Sequence, residues 1–422
     1  MAKWLGGKGW RGRYPRGVAL VVQKYGGTSV ADPDRIRSVA ENVHRARKRG
    51  DDVVVVVSAM GKETDDLLRL AAEVAASPPG RELDMLITAG DRKATALVVM
   101  ALDALGCAAV SFTGSQVGFI TDTAHGNAKI LEVRGDRLRE ALAQGQVPVV
   151  AGAQGMSGAT RDVTFLGRGG SDTTAVALAT TLDADACELY TDVSGVYTAD
   201  PRIVPEARKL ERLSFDEMLE MSASGCPKPA ARAVEFARNH GVPLHVRSAF
   251  TWEPGTWITK EDPSMEQAII TSVTHDVSEA KVTVTGVSDR PGIAAKLFRA
   301  LADQSVNVDM IVQNESHDGS TDISFTVPKS DLAVAVETSR TVAKELGAHE
   351  VHADDDVARV SLIGAGMKTN PGVAATMFET LSAAGVNIEM ISTSSIRISC
   401  VVRAGEIEKA VQALHEAFKL AA

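Results

Sequence analysis

The sequence predicts an α/β protein in two parts, a mostly parallel sheet sandwiched by helices and then two small βαββαβ units of the ferredoxin-like type. The first part is indicated by short, continuously apolar runs that alternate with amphipathic helical patterns. Asp52–Ser58, DVVVVVS, is so rich in β-branched residues that both faces of this strand must be covered. The second part is indicated by an internal repeat: Pro291–Ile311 and Pro371–Ile391 agree at about half of their positions.

The elements of the first part follow in order from local patterns. The run Val18–Val22 predicts a buried strand, and a helical pattern follows from Ala31. Asp32 can cap this helix, and Pro33 suits its first position. Further buried strands are predicted within 52–58, 145–155, 187–196 and 242–247. Strands that alternate with helices in this way favour parallel pairing.

Composition shifts predict where the domains begin and end. Residues 1–17 are basic, rich in glycine and without an apolar segment, so we expect a disordered extension and not a secretory signal. The stretch KEDPSMEQ is polar and contains a proline, which is typical of a linker. The predicted domains are the extension at 1–17, the α/β domain at 18–260, the linker at 261–268 and the two repeats at 269–345 and 346–422.

Charge and cysteine usage exclude several function classes. A formal net charge of −9 over 422 residues argues against a nucleic-acid-binding protein. No apolar run reaches about 18 residues, so no membrane span is expected. The four cysteines lie far apart without a C-x-x-C pair, which is typical of reduced thiols in a cytoplasmic protein. No metal site formed by protein side chains is predicted, because the nine histidines are scattered.

The stretch KYGGTS directly after the first strand is the first candidate for chemistry. Gly26 and Gly27 allow the backbone to approach a ligand closely, and the amides there and at Thr28 suit phosphate. Lys24 adds a mobile positive charge. A strand followed by two glycines also occurs for purely structural reasons, so the stretch gains weight only from a second cluster.

That second cluster is FLGRGGSDTT, which precedes an alanine-rich helix. Arg168 lies among three glycines and offers a planar fork for a carboxylate or a phosphate. Ser171 or Asp172 is expected to cap the helix, whose N-terminus is a ready site for an anion. Together with KYGGTS, this cluster makes phosphoryl transfer the best interpretation.

A third stretch, TDVSGVYTADPR, follows a predicted strand and offers side chains for a nucleotide. Its candidates are Asp192, Tyr197, Asp200 and Arg202. Taken alone, the stretch is better explained by a structural β-turn with solvated charges.

Several stretches carry a resemblance to a known family, in the order KYGGTSV, VVSAMG, RELDMLITAG, FTGSQ, HGNAK, TRDVTFLGRGGSDTTAVALA, YTDVSGVYTADPRIV and PLHVRS. They resemble the aspartate kinase branch of the amino acid kinase family, and the repeats resemble its paired ACT domains. The resemblance covers residue 18 to the C-terminus. It implies an amino acid kinase-type sheet and transfer of the γ-phosphoryl group of Mg²⁺-bound ATP to the side-chain carboxylate of L-aspartate. That reaction begins the lysine, threonine and methionine pathways.

The resemblance also implies residue roles. The implied catalytic residues are Lys24, Arg168 and Asp172. The implied substrate-binding residues are Thr64, Asp91, Arg168, Ser171 and Asp172. The implied ATP-binding residues are Lys24, Gly26, Gly27, Thr28, Thr191, Asp192, Tyr197, Arg202 and Lys228.

The chain departs from the family pattern at two places in the implied site. Asp91 stands where the family has a glutamate, which withdraws the carboxylate by one methylene. Pro227 stands where the family has a lysine that approaches the ATP phosphates, and Lys228 follows one position later. Three hypotheses stay open: an ordinary aspartate kinase, a specialised paralogue that phosphorylates a modified aspartate with relaxed feedback, and an inactive regulatory subunit.

The resemblance finally implies regulation and assembly. If feedback is retained, lysine and threonine are the expected effectors, and the implied contacts are Asp289, Pro291, Gly292, Ile293, Ala294, Asn307, Asn314 and Asn387. Some relatives use an internal start, and Met265 is placed to provide one. We therefore expect a homodimer through the ACT domains or an α2β2 assembly.

Overall fold

The computed structural model describes residues 19–260, 269–313, 319–368 and 370–421. The predicted extension, the predicted linker with Met265, and Asn314 lie outside these residues. The described chain forms two compact units. The first unit contains 19–196, 209–218 and 228–260, and the second contains 197–208, 219–227 and the residues from 269 onward.

The strands of the first unit are β1 (Leu20–Tyr25), β2 (Asp52–Val57), β3 (Ala109–Phe112), β4 (Phe119–Thr121), β5 (Ile130–Val133), β6 (Val147–Ala151), β7 (Gln154–Ser157), β8 (Val163–Phe165), β9 (Ala186–Thr191), β10 (Arg212–Ser214), β11 (Leu244–Ser248) and β12 (Thr256–Thr259). The helices that follow or separate them are α1 (Pro33–Lys48), α2 (Glu63–Val74), α3 (Gly80–Ala104), α4 (Gly114–Val117), α5 (Asp136–Ala143), α6 (Gly170–Thr181), α7 (Phe215–Ala223) and α8 (Ala231–His240). The chain leaves the first unit within α7 and re-enters it at Lys228.

The main sheet of the first unit has the strand order β10-β12-β11-β9-β1-β2-β6-β3. Its pairs are parallel except β11 with β12, which confirms the predicted fold class. The valines of β2 are completely buried, because α1 and α3 cover one face and α6 covers the other. A smaller sheet, β5-β4-β7-β8, lies beside it. Asp32 caps α1 through the amide of Arg35, and Pro33 opens that helix, as predicted.

The strands of the second unit are β13 (Ser272–Asp276), β14 (Glu279–Ser288), β15 (Ile311–Gln313), β16 (Ser320–Pro328), β17 (Glu350–Asp354), β18 (Val357–Ile363), β19 (Met390–Thr393) and β20 (Arg397–Arg403). Its helices are α9 (Ile293–Asp303), α10 (Leu332–Leu346), α11 (Val373–Ala383) and α12 (Ile407–Ala417). The first repeat therefore has the predicted order βαββαβ, with the sheet β15-β16-β14-β17.

Strand pairing in the repeats does not follow the expected division between 345 and 346. Strand β17 lies beyond that position but pairs with β14 of the first repeat. Strand β13 precedes the first repeat but pairs with β18 of the second, completing the sheet β13-β18-β20-β19. The first repeat is thus inserted between β13 and the rest of the second sheet. The sequence repeat could not reveal this, because pairing between distant strands leaves no local pattern.

Ion pairs connect the two repeats. Lys281 at the beginning of β14 pairs with Glu389 of the second repeat. In the same way, Arg359 in β18 pairs with Asp309 of the first repeat. Among the described residues, none of the helices is both long and apolar enough to cross a membrane.

Candidate active site

A small cleft lies in the first unit at the carboxyl ends of β1, β9 and β11. Ligands of open α/β sheets bind at this edge, where parallel strands deliver their last residues side by side. The lining residues are Lys24, Asp172, Leu189, Tyr190, Thr191, Lys228, Pro229 and Val246. Residues from both predicted glycine-rich clusters are therefore brought together, as the sequence indicated.

Lys24 and Asp172 form the central ion pair of this cleft. The Nζ atom of Lys24 lies 2.6 Å from Oδ1 of Asp172, and the two side chains are only 5% and 3% exposed. Burial alone would raise the pKa of the Asp172 carboxyl, but Lys24 and Lys228 outweigh it and hold the pKa below its usual value. Asp172 is therefore an anion that fixes the position of a buried ammonium group.

Lys228 returns a second positive charge to the cleft. It lines the same cavity, and the positive charge of Lys24 lowers its pKa, although Asp172 opposes that effect. The amide of Ala230, two residues later, donates to Oδ2 of Asp172 at 3.2 Å. The segment that carries the departure Pro227-Lys228 thus still delivers a lysine next to Asp172.

The glycines after β1 serve a close approach between two backbones. A Cβ atom on Gly27 would lie 2.8 Å from the carbonyl oxygen of Ala59 and 2.9 Å from that of Gly61. The amide of Gly61 in turn donates to the carbonyl of Gly27 at 3.0 Å. Glycine is therefore required at position 27 by packing. The amides of Gly26, Gly27 and Thr28 as phosphate ligands stay a prediction.

The Arg168 loop has a backbone that needs its glycines. Gly167 and Gly169 adopt positive φ angles of 85° and 74°. Gly169, and not Ser171 or Asp172, is the N-cap of α6, so the expected capping role was wrong. Asp172 is engaged instead by Lys24 and Ala230. Ser171 is buried against Gly152. A Cβ atom added to Gly152 would lie 2.6 Å from the hydroxyl oxygen of Ser171.

Arg168 itself points into solvent. Its side chain is 92% exposed, and its guanidinium lies 3.6 Å from the carboxylate of Asp65. Asp65 follows Thr64 in the first turn of α2. The contact therefore brings the Arg168 loop to the helix terminus that carries Thr64, and it leaves most guanidinium donors available for a ligand.

Asp91 lies buried in α3 near two other charged groups. Burial raises the pKa of its carboxyl to about 7, with a further upward contribution from Glu63, while a hydrogen bond from the backbone of Ala59 and the charge of Lys24 oppose it. The pair Lys93–Glu63, at 2.6 Å, adjoins this position. The positive charge of Lys24 thus lowers the pKa of Asp91, but Asp91 does not line the cleft.

The predicted nucleotide segment is divided between the units. Thr191 lines the cleft, and its hydroxyl donates to the carboxylate of Asp192 at 2.9 Å. Tyr197 and Arg202 belong to 197–208, which packs with the second unit. Arg202 forms an ion pair with Asp200 at 2.6 Å. The roles of Tyr197 and Arg202 in nucleotide binding stay predictions.

The predicted effector residues of the first repeat do not converge. Asp289, Pro291 and Gly292 are exposed in the connection before α9, with Ile293 and Ala294 in its first turn. Asn307 lies beyond the other end of this helix, which has 11 residues and a length of about 16 Å. Asn387 occupies the equivalent exposed position of the second repeat. The effector roles of these residues stay predictions.

Three charged side chains next to the candidate site were not singled out from the sequence. Asp84 and Arg232 anchor the chain that leads into the Arg168 loop, and Glu63 lies beside Asp91. Asp84 stands in the stretch RELD and Arg232 in the stretch ARAVEFAR. A helical pattern shows that these charged residues interrupt an apolar face, but it does not identify the residues that they contact in the folded chain. Among the residues that the structure describes, no group of three His, Cys, Asp or Glu side chains is arranged to hold a metal ion.

Comparisons with known proteins agree with this arrangement. The model of the amino acid kinase family matches residues 19–248, and an ACT domain model matches 282–340 and 360–418. The aspartokinase of Mycolicibacterium smegmatis is 58% identical over 407 residues, 96% of this chain and 97% of that protein.

Two solved structures of E. coli aspartokinase III are 25% identical and cover 94% of this chain and 99% of their own. The complex with aspartate and ADP has a TM-score of 0.81, and the complex with lysine and aspartate has a TM-score of 0.71.

Proposed function

The chain belongs to the aspartokinase family, and we propose that its cleft phosphorylates the side-chain carboxylate of L-aspartate with ATP through Lys24, Asp172 and Arg168. The observation that carries this assignment is the buried Lys24–Asp172 pair at 2.6 Å, with Lys228 in the same cavity. Two ammonium groups around one carboxylate leave a net positive charge. Such a cleft suits the phosphates of a nucleotide.

The reaction requires no general base. The substrate carboxylate is already an anion at neutral pH, so one of its oxygens attacks the γ-phosphorus directly. The new carboxylate–phosphorus bond forms as the bond to the β-phosphate oxygen breaks, giving 4-phospho-L-aspartate and ADP. Catalysis of such a transfer consists of positioning and of neutralising charge on the transferred group.

Lys24 and Lys228 supply that neutralisation. Asp172 holds the ammonium of Lys24 at a fixed place, so no reorganisation is needed when the phosphoryl group carries its greatest charge. Gly26, Gly27 and Thr28 would contribute backbone amides to the phosphates, and Thr191 and Asp192 the nucleotide contacts next to them.

Arg168 would hold the α-carboxylate of the acceptor. Its exposed guanidinium can form a bidentate pair. Thr64, Ser171 and Asp91 complete the proposed acceptor site, in which the aspartate at 91 replaces the glutamate of the family.

Mg²⁺ is proposed to enter with the nucleotide. Substrate phosphates hold Mg²⁺ in kinases to a large extent, and this suits the cleft because both oxygens of Asp172 are already engaged by Lys24 and Ala230. When bound, the ion neutralises charge on the β- and γ-phosphates.

The paired repeats support a proposal on regulation and assembly. A solved relative was crystallised in complex with lysine, and we propose lysine and threonine as effectors here, bound by Asp289, Pro291, Gly292, Ile293, Ala294, Asn307, Asn314 and Asn387. The chain would form a homodimer through its ACT domains, or an α2β2 assembly with a small subunit started at Met265. Native mass spectrometry that finds only full-length chains would remove the α2β2 option.

The function is tested by ADP release from purified protein with Mg-ATP and three acceptor conditions: L-aspartate, β-substituted aspartates and no acceptor. Turnover on L-aspartate is the expected result. Turnover only on a substituted aspartate would instead assign Asp91 to a changed specificity. If no ADP is released under any of the three conditions, an inactive regulatory subunit becomes the better interpretation.

A further inference from the structure

The Arg168 loop receives little support from its own side chains. Arg168 is 92% exposed and contacts Asp65 at 3.6 Å. Its neighbours Gly167 and Gly169 have no side chains to pack. The position of the guanidinium is therefore determined by the backbone on either side of the loop. On the downstream side, Gly170 opens α6 against Ala153.

On the upstream side, the chain pairs with the segment 125–128. The amide of Ala128 donates to the carbonyl of Phe165 at 2.9 Å. Gly167 then passes so close to Asn127 that a Cβ atom would lie 2.9 Å from its side-chain oxygen. Two irregular segments thus run side by side immediately before Arg168, and both need partners for their backbone groups.

Asp84 of α3 supplies one set of partners. Its side chain is buried, and its carboxylate accepts hydrogen bonds from the amide of Phe165 at 3.0 Å and from that of Gly126 at 2.9 Å. The Nδ1 atom of His125 lies 2.8 Å from the same carboxylate. One buried negative charge therefore ties together both segments.

Arg232 of α8 supplies the other set. Its guanidinium donates to the carbonyl of Leu166 at 2.8 Å and to that of Ala128 at 2.8 Å. Backbone amides of the two segments thus donate to the carboxylate of Asp84, and backbone carbonyls of the same segments accept from the guanidinium of Arg232. Hydrogen bonds with a charged partner are the stronger kind in proteins.

From this arrangement we infer that Asp84 and Arg232 are positioning residues that fix Arg168 for the acceptor carboxylate. The inference rests on the proposed role of Arg168 in binding the acceptor. Neither side chain lines the cleft itself, so their loss is expected to weaken acceptor binding and to leave nucleotide binding intact.

The test compares Arg232→Gln and Arg232→Lys with wild type in steady-state kinetics, varying aspartate and ATP separately. Loss of hydrogen bonds from a charged donor is expected to raise the KM for aspartate about tenfold in Arg232→Gln, with the KM for ATP unchanged within about twofold. Arg232→Lys keeps the charge but loses the fork, so its KM for aspartate is expected to lie between the two.

Arg47→Gln is the matched control. Arg47 is also half-buried and also bridges backbone carbonyls, those of Asp51 at 3.0 Å and Gly145 at 3.2 Å. These carbonyls precede the strands β2 and β6, at the edge of the sheet opposite the cleft. The Arg47→Gln variant is therefore expected to change thermal stability and to leave the ratio of the KM for aspartate to the KM for ATP unchanged.

Amide hydrogen exchange of residues 165–170 gives a readout that does not depend on turnover. Faster exchange in Arg232→Gln than in Arg47→Gln is expected. Equal exchange, or a KM for aspartate that stays at the wild-type value in an active enzyme, would overturn the inference. If wild type itself does not phosphorylate aspartate, the proposed function fails, and the exchange comparison still decides whether Arg232 holds the loop.

Discussion

The ammonium group of Lys24 lies 2.6 Å from the carboxylate of Asp172, and both side chains are almost completely removed from water. The two residues come from different elements, the end of β1 and the first turn of α6. Taking two charges out of water is costly unless they are paired. The pair is therefore both the electrostatic centre of the cleft and a point at which the protein is sensitive to substitution.

Asp172→Asn is expected to abolish most activity and to destabilise the fold. It leaves the Lys24 ammonium buried beside Lys228 without a counter-charge, which costs about 3–5 kcal/mol in comparable cases. Urea unfolding and kcat with aspartate measure the two effects. The double variant Lys24→Met with Asp172→Asn removes both charges, so we expect it to recover stability and not turnover. Recovery of turnover in the double variant would contradict the catalytic role.

Lys228→Met tests whether this lysine replaces the one that Pro227 displaced. Lys228 lines the cleft within the electrostatic reach of Asp172. We expect the KM for ATP to rise about tenfold, which corresponds to the loss of one charged phosphate contact. Lys48→Met, at the exposed end of α1, is the control and should leave this KM unchanged. Equal KM values for the two variants would exclude Lys228 from the phosphate site.

Asp91 makes stability depend on pH near neutrality. Burial raises the pKa of its carboxyl to about 7 in the folded protein, against about 3.9 in an unfolded chain. Between these values the folded state holds a proton that the unfolded state has released, so the free energy of unfolding falls as the pH rises from about 4 to about 7. This contribution is constant above that range.

The variant Asp91→Asn should therefore gain stability relative to wild type as the pH increases. We expect the difference in unfolding free energy between variant and wild type to grow by about 2.6 kcal/mol from pH 5 to pH 8. Denaturant unfolding at several pH values measures it. Asp136→Asn changes an exposed carboxylate and serves as the control. A difference for Asp91→Asn that is flat over this range would show that Asp91 is ionised in both states.

Arg359 is the buried cation that joins the two repeats. It is only 1% exposed, and its guanidinium faces the carboxylates of Asp276, Glu279 and Asp309. Burial raises the pKa of the Glu279 carboxyl to about 7, with Arg359 opposing that rise. The guanidinium also donates to the carbonyl of Ala223 at 2.8 Å.

Arg359→Met should consequently destabilise the second unit by about 3 kcal/mol, because it leaves the buried Glu279 and the partly exposed Asp276 and Asp309 without their counter-charge. Arg299→Met is the comparison, since Arg299 is 77% exposed and lies 3.9 Å from Asp303; an exposed pair of this kind contributes about 0–1 kcal/mol. Chemical denaturation monitored in both variants decides the point. Equal losses of stability in the two variants would show that the ion cluster around Arg359 contributes no more to the free energy of unfolding than an exposed ion pair does.

Local patterns were sufficient for the architecture and for the two clusters of the site. The α1 helix begins where Asp32 and Pro33 predicted it, because capping depends on neighbouring residues only. The local patterns of KYGGTS and FLGRGGSDTT marked each cluster, but the second follows β8 of the smaller sheet. The two clusters meet because α6, which begins in the second, packs against β1 and brings Asp172 to Lys24. The repeat at Pro291 and Pro371 likewise determined the pair of similar modules.

Tertiary structure alone decided how distant residues are partnered. The capping role expected for Asp172 failed because α6 begins at Gly170, so that Asp172 lies inside the first turn and its carboxylate pairs with Lys24 instead. Strand β13 completes the sheet of the second repeat although it precedes the first. Asp84 and Arg232 hold the Arg168 loop from α3 and α8. A sequence determines which residues can be charged, apolar or tightly turned, but the partner of a buried charge or an edge strand is chosen only when the folded chain excludes water from both.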